Sequence, residues 1–152
     1  MSTRFFFRGS VRSSGARGAG SRQMGSQETK EVMERYLNGH DPGAVAPDAE
    51  FTVMGTGQRA RGRVEIEGLL EFFYHRAFQA TAEAKNLVVE GDRAILEADF
   101  VGRHVGDFGD LKASGKSVRV PLCVAYELRQ GKIRTAHVYF EVDSLRKQIG
   151  VG

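Results

Sequence analysis

Near the C-terminal end of the chain, His137, Tyr139 and Glu141 occur at every second position of a strand-like run. A strand turns alternate side chains to one face, so an imidazole, a phenol and a carboxylate share one side. An imidazole or a carboxylate can move a proton, and a phenol can donate to a developing oxyanion. Neighbours in such a row stand roughly 6.5–7 Å apart, which puts His137 and Glu141 about 13 Å apart, too far to bond one another on a regular strand. The row therefore flanks a ligand, pairs with other strands, or forms an exposed edge or dimer face. In the run 94–104, Ile95, Glu97, Asp99, Val101 and Arg103 share one face and Ala94, Leu96, Ala98 and Phe100 the other. The second face is core-like. The carboxylates of the first either pair with neighbours on the solvent side or border a pocket.

Other chemistry has little support. The four histidines, His40, His75, His104 and His137, have no metal-ligand spacing, and we expect no metal. There is no HExxH, no GxGxxG opening a helix, no Walker loop and no GxSxG elbow. What remains is cofactor-free acid–base work or plain binding. Cys123 is the one cysteine, so no intramolecular disulfide forms; between Leu122 and Val124 it reads as a small buried hydrophobe. Lone-cysteine usage fits a reducing compartment, and we expect a cytoplasmic protein. No apolar run approaches the roughly 20 residues that span a membrane. The net charge is +3, but residues 1–27 hold five arginines and no acid, leaving 17 basic against 19 acidic residues in the rest. The nearly neutral body gives no reason to expect nucleic acid as a partner.

The elements that must position these residues follow from periodicity. The length of 152 residues fits one domain. Residues 1–25 are rich in Ser, Gly, Ala and Arg and are expected to lack order; they read as a basic tail, a transit-peptide-like segment, or the product of a start upstream of Met24. The folded domain is expected over 26–152. Ser26 can cap a helix over 27–38 with Val32, Met33, Tyr36 and Leu37 as its apolar stripe, stopped by Asn38-Gly39. A short strand carries Phe51 and Val53, and 59–62 reads as a polar connector. A second helix is expected over 64–79, with His75 and Arg76 meeting its C-terminal dipole. Four strands follow at 82–90, 94–104, 117–129 and 133–142, antiparallel by their short connections, and a short amphipathic segment ends the chain. Helices followed by a meander imply an α+β fold with helices packed on a curved sheet.

Four motifs in order carry a family resemblance. Gly102-Arg103-His104-Val105-Gly106-Asp107-Phe108 resembles a GxHxGxF segment. Ser114-Gly115-Lys116 with 118–121 resembles a TGK-then-VP segment, and Gly131-Lys132-Ile133 matches a GKI turn. Tyr139-Phe140-Glu141, then Leu145, Gln148 and Gly150, resembles a YFD…L…QLG ending. Together these resemble the SnoaL-like polyketide cyclases, also called ester cyclases, of the nuclear transport factor 2-like, ketosteroid-isomerase-like superfamily. The resemblance spans about 27–150 and is sharpest over 100–150.

The resemblance implies a cone-shaped α+β barrel, a curved antiparallel sheet packed on N-terminal helices around an internal pocket, in a homodimer. It implies ring closure of a small hydrophobic carbonyl compound by intramolecular aldol chemistry, with no cofactor. The family's acid/base aspartate aligns with Glu141, one methylene longer; His137 and His104 are the histidines that would assist. Tyr139, Phe108, Tyr126, Phe73 and Asp99 are the expected substrate-binding residues, with Phe78 as a further wall. Two rivals stand beside this reading. One is a related isomerase or an epoxide hydrolase built on Asp99, Arg103 and Glu141. The other is a non-catalytic small-molecule-binding or dimerisation module.

Overall fold

The computed structural model describes residues 24–150 and the backbone of Phe5–Phe7 (β1) and Arg12–Ser13 (β2). The other residues of 1–23, and 151–152, lie outside the described residues. The expectation of a tail without order over 1–25 falls mostly on those residues; β1 and β2 run parallel to β5 (Phe78–Glu90), opposite Ala82–Ala84 and Val88–Val89. The remaining elements are α1 (Ser26–Leu37), β3 (Val45–Val53), β4 (Gln58–Arg61), α2 (Gly62–Glu71), β5 (Phe78–Glu90), β6 (Arg93–His104), β7 (Ser117–Arg129), β8 (Lys132–Phe140) and α3 (Val142–Gln148). One sheet runs in the order β1-β5-β6-β7-β8-β3-β4, with β2 also on β5. This is the expected α+β architecture. The sheet is mixed rather than purely antiparallel, because β3 returns to pair with β8 in parallel. Among the described residues no helix is long and apolar enough to cross a membrane.

Apolar residues on the concave face make the core. Val32, Met33, Tyr36 and Leu37 of α1 are buried, as their helical spacing requires. They lie over the inward residues Leu87, Leu96, Val124 and Tyr126 of the sheet, all buried in the same cluster. Ser26 does not cap its helix. Its Oγ accepts from the Gly91 amide, and Thr29 Oγ1 donates to the Gly91 carbonyl, so α1 is pinned to the β5–β6 turn. The expected connector at 59–62 is a strand, β4, that pairs with β3. The second helix is shorter than its periodicity implies. It gives way at Phe72 to a π-helical turn, Phe72–Arg76, closed by the Ala77 amide donating to the Phe72 carbonyl at 2.8 Å.

The GxHxGxF segment begins in β6, and its two inner glycines have a structural reason. A Cβ on Gly102 would come within 2.2 Å of the Gln79 carbonyl, and one on Gly106 within 2.2 Å of the Arg76 carbonyl. Only glycine lets the end of β6 lie this close to its neighbours. The ending motif also has a structural reason. The Gln148 side chain accepts from the Arg119 amide at 2.8 Å and donates to the Arg119 carbonyl at 2.9 Å. A side-chain amide thus pairs with β7 where β8 does not reach, while Leu145 and Ile149 are buried beneath it.

Candidate functional site

The concave face of the sheet, α1 and α2 enclose a cavity of about 70 Å³. Its wall is almost wholly apolar: Phe51 and Val53 of β3, Leu69 and Leu70 of α2, Phe73 of the π turn, Leu96 and Phe100 of β6, and Val138 and Phe140 of β8 are among its residues. The polar side chains on it are Tyr36, His40, Tyr74 and Tyr126, and none carries a formal charge at neutral pH. Tyr36 arrives on the buried stripe of α1, Tyr126 on the inward face of β7, and Tyr74 on the π turn. The π turn brings adjacent residues Phe73 and Tyr74 to the same wall. His40 comes from the loop that leaves α1. Its backbone has φ of 54°, a left-handed conformation that histidine tolerates better than most residues, directly after Gly39. Its amide donates to the Tyr36 carbonyl at 2.6 Å, one turn back.

The four rings form a connected group. His40 lies 5.2 Å from the Tyr36 ring and 5.3 Å from the Tyr74 ring, and Tyr36 lies 6.0 Å edge-on from Tyr126. Burial pushes the Tyr36 hydroxyl well above the usual phenol range, and the neighbouring Tyr126 and Tyr74 raise it further. Burial does the same to Tyr74, and to Tyr126, where Tyr74 adds to the effect. All three stay protonated. Burial, and to a lesser degree His75, lowers His40 to about 4, so its imidazole is neutral at physiological pH. Such an arrangement can hold an oxygen acceptor among neutral donors and exclude water from it.

The expected site residues divide sharply. Phe73 and Tyr126 line the cavity. Phe108 lies behind Phe73, 5.9 Å from its ring and 5.6 Å from Phe78, in the aromatic cluster rather than on the wall. His137, Tyr139 and Glu141 are exposed and lie outside the cavity lining. A bulge explains the orientation. Glu127 faces Thr135 but Leu128 faces Ile133, so Arg134 is the extra residue of β8. Alternation breaks there, leaving Ile133 and then Ala136 buried, and Val138 and Phe140 on the cavity wall. The row His137, Tyr139 is the outer face. Glu141 leaves the strand and precedes α3, its carbonyl accepting from the Leu145 amide.

Asp99 is also on the outer face, buried beneath Arg119 at 3.0 Å and Lys85 at 3.2 Å. Glu97 accepts from Asn86 at 2.8 Å. These carboxylates are paired, which is the first of the two readings of that face. Arg103 donates to the Gly115 carbonyl, so Asp99, Arg103 and Glu141 do not form the carboxylate–arginine–carboxylate set of the hydrolase rival around this cavity. His104 is fully buried. Its Nδ1 accepts from the Ser114 amide at 3.2 Å and lies 2.9 Å from Ser114 Oγ, fastening the 105–116 loop, while its Nε2 has no partner among the described residues. Cys123 is half-buried on the outer face rather than in the core. Among the described residues no three His, Cys, Asp or Glu side chains gather as a metal set.

His40, Tyr36 and Tyr74 are absent from the site expected from sequence. Tyr36 was legible only as part of an apolar stripe, although a buried phenol always raises the question of where its hydroxyl points. His40 sits one residue past a helix stop and carries no motif.

The comparisons agree with this geometry at the level of fold. A SnoaL-like polyketide cyclase candidate from Jannaschia sp. CCS1 superposes with a TM-score of 0.73 at 16% identity, over 90% of this chain and 99% of that one. TsrD from Streptomyces laurentii gives 0.69 at 22% identity, over 82% and 96%. An LEH-like epoxide hydrolase from M. tuberculosis gives 0.64 at 18%, over 82% and 90%. Among curated proteins none matches the sequence. The family model of SnoaL-like polyketide cyclase matches residues 29–149, which take in every element from α1 to α3 that builds the cavity and its supports, and the chain belongs to that family.

Proposed function

We propose that the cavity binds a small hydrophobic carbonyl compound, with its oxygen among the hydroxyls of Tyr36, Tyr74 and Tyr126, and that the chain performs cofactor-free acid–base chemistry of the cyclase kind on it. One observation carries this reading. The polar side chains on an otherwise apolar wall are three phenols and a neutral imidazole from four different elements. Apolar walls favour a hydrophobic body, and donors without negative charge favour an oxygen acceptor. The cavity's size favours a compact ring system over a long extended chain. Titration calorimetry with a panel of cyclic ketones tests the binding half. Tyr126→Phe is expected to weaken binding about 10-fold, the value of one hydrogen bond near 1.4 kcal/mol. Glu141→Gln is expected to leave affinity unchanged, because Glu141 lies outside the cavity. Loss of binding in Glu141→Gln with none in Tyr126→Phe would move the site to the outer face of β8.

We also propose that the outer sheet face is where two copies meet. Val88, Ile95 and Ala125 lie in register across β5, β6 and β7, with His137 next in line on β8. Val88 and Ile95 are 43% and 45% exposed, and Tyr139 on the following row is 51% exposed. A row of apolar side chains left to water across a long sheet favours association. Ile95→Glu is expected to convert a dimer to a monomer in sedimentation equilibrium while leaving the circular dichroism spectrum unchanged. A monomeric parent protein at tens of micromolar would remove this assignment.

A further inference from the structure

We propose that His40 is the proton acceptor of this site, taking an activated α-proton from the carbonyl compound while the phenols hold the oxygen. The inference rests on the cavity being a carbonyl site, as proposed above. Geometry selects His40 by its surroundings. Among the described residues no Asp, Glu, Lys or Arg lines the cavity, and of those that do the imidazole alone is a base at neutral pH. The residue is also held in place. Its left-handed backbone, the hydrogen bond from its amide to the Tyr36 carbonyl and the neighbouring rings of Tyr36 and Tyr74 fix the imidazole against the wall. A non-glycine residue in this conformation is strained, and such strain gathers at sites where a side chain must be aimed. The ring belongs to two spaces. It lines the main cavity and a small crevice beside it, whose charged groups are Arg63 and Glu67 of α2.

The step balances without any co-reactant. An imidazole nitrogen takes the proton from the carbon next to the carbonyl. The C–H electron pair becomes a C=C bond, and the carbonyl π pair moves to oxygen, where phenol O–H groups stabilise the enolate. The enolate carbon then attacks a second carbonyl of the same molecule, whose π pair moves to its oxygen and takes the proton from the imidazolium, as in ring closure; otherwise the carbon itself takes a proton back from the imidazolium. The return path gives exchange with solvent and provides an assay that needs no knowledge of the natural substrate.

The probes are 2-indanone and 2-tetralone in deuterium oxide. Binding is read by calorimetry and deuterium uptake by mass spectrometry against buffer alone. The parent protein is expected to bind a probe and raise its exchange at least 100-fold. His40→Asn keeps a residue that accepts the left-handed backbone but takes no proton at neutral pH. Exchange is expected to fall to within a few-fold of buffer while affinity stays within about 3-fold. His40→Asp supplies a carboxylate on the same backbone and is expected to restore at least a tenth of the exchange, which a merely structural role for His40 would not produce. With His75, Arg63, Glu67 and the adjacent Asp41 as neighbouring titratable or charged groups, the rate above buffer is expected to be level from about pH 6 to 8. Binding without exchange, or equal exchange in His40→Asn, overturns the role of His40 and leaves the binding reading intact. Failure of both probes to bind at millimolar concentration overturns both.

Discussion

Replacing Gly106 by alanine is expected to cost the fold about 3 kcal/mol or more, although the residue lies outside the cavity and adds only one methyl group. The added Cβ would stand 2.2 Å from the Arg76 carbonyl oxygen and 3.1 Å from its carbon. Both are backbone atoms, so no side chain can swing aside. The Val105 and Gly106 amides both donate to the Ala77 carbonyl, at 2.9 and 3.0 Å, and relieving the contact breaks this pair. The damage lands on the π turn, which carries Phe73 and Tyr74 into the cavity wall. Gly106→Ala is therefore expected to lower both stability and ligand affinity. Urea unfolding checks the first, as a lower midpoint at unchanged slope. Gly68→Ala is the matched control. That glycine lies inside α2, and among the described residues no atom beyond its own helix backbone and chain neighbours comes within 4 Å of the new Cβ, so alanine there is expected to add roughly 0.5–1 kcal/mol. Equal midpoints for Gly106→Ala and the parent would mean that β6 and the π turn can separate at little cost.

The same contact shows why the fold is legible in the sequence while only Phe73 and Tyr126 of the candidate site are. The GxHxGxF motif records backbone approach and a buried histidine that fastens a loop, and these constraints are written into single residues. So are the helical stripe of α1 and the run 117–129, which matches β7 residue for residue. Which face of a strand turns inward is a different kind of fact. His137 and Tyr139 look chemical because they are polar and aligned, yet a one-sided sheet buries its apolar face, and the plainer residues Val138 and Phe140 are the ones that meet the cavity. The bulge at Arg134 hides this further, since strict alternation would put buried Ile133 on the same face as exposed His137. His40 escaped because its position depends on a loop returning over α1. Asn38-Gly39 reads correctly as a helix stop but says nothing of where the next side chain goes.

The loop makes His40 visible to a second measurement, independent of any ligand. The protein is expected to lose stability as the pH falls from about 6.5 toward 4, by on the order of 2 kcal/mol, in a step that His40→Asn removes. The sign follows from the two states. In the unfolded chain an imidazole binds its proton near pH 6.5, whereas burial holds the folded group near 4. Between these values the unfolded state binds more protons than the folded one, so acid draws the equilibrium toward unfolding. Below about pH 4 both states are protonated and this contribution levels off. Carboxylates paired in the folded state, such as Glu50 with Arg61 and Asp107 with Lys112, are pushed below their usual range and add their own losses at lower pH. The window between 6.5 and 5 is the one to compare, because those carboxylates are largely ionised there in both states. Urea midpoints at pH 7.5, 6.5, 5.5 and 5.0 for the parent and for His40→Asn separate the two sources. A parallel pair of curves would show that His40 titrates as it does in water. The imidazole would then lie in solvent rather than against Tyr36 and Tyr74, and it could not be the desolvated base that the cavity requires.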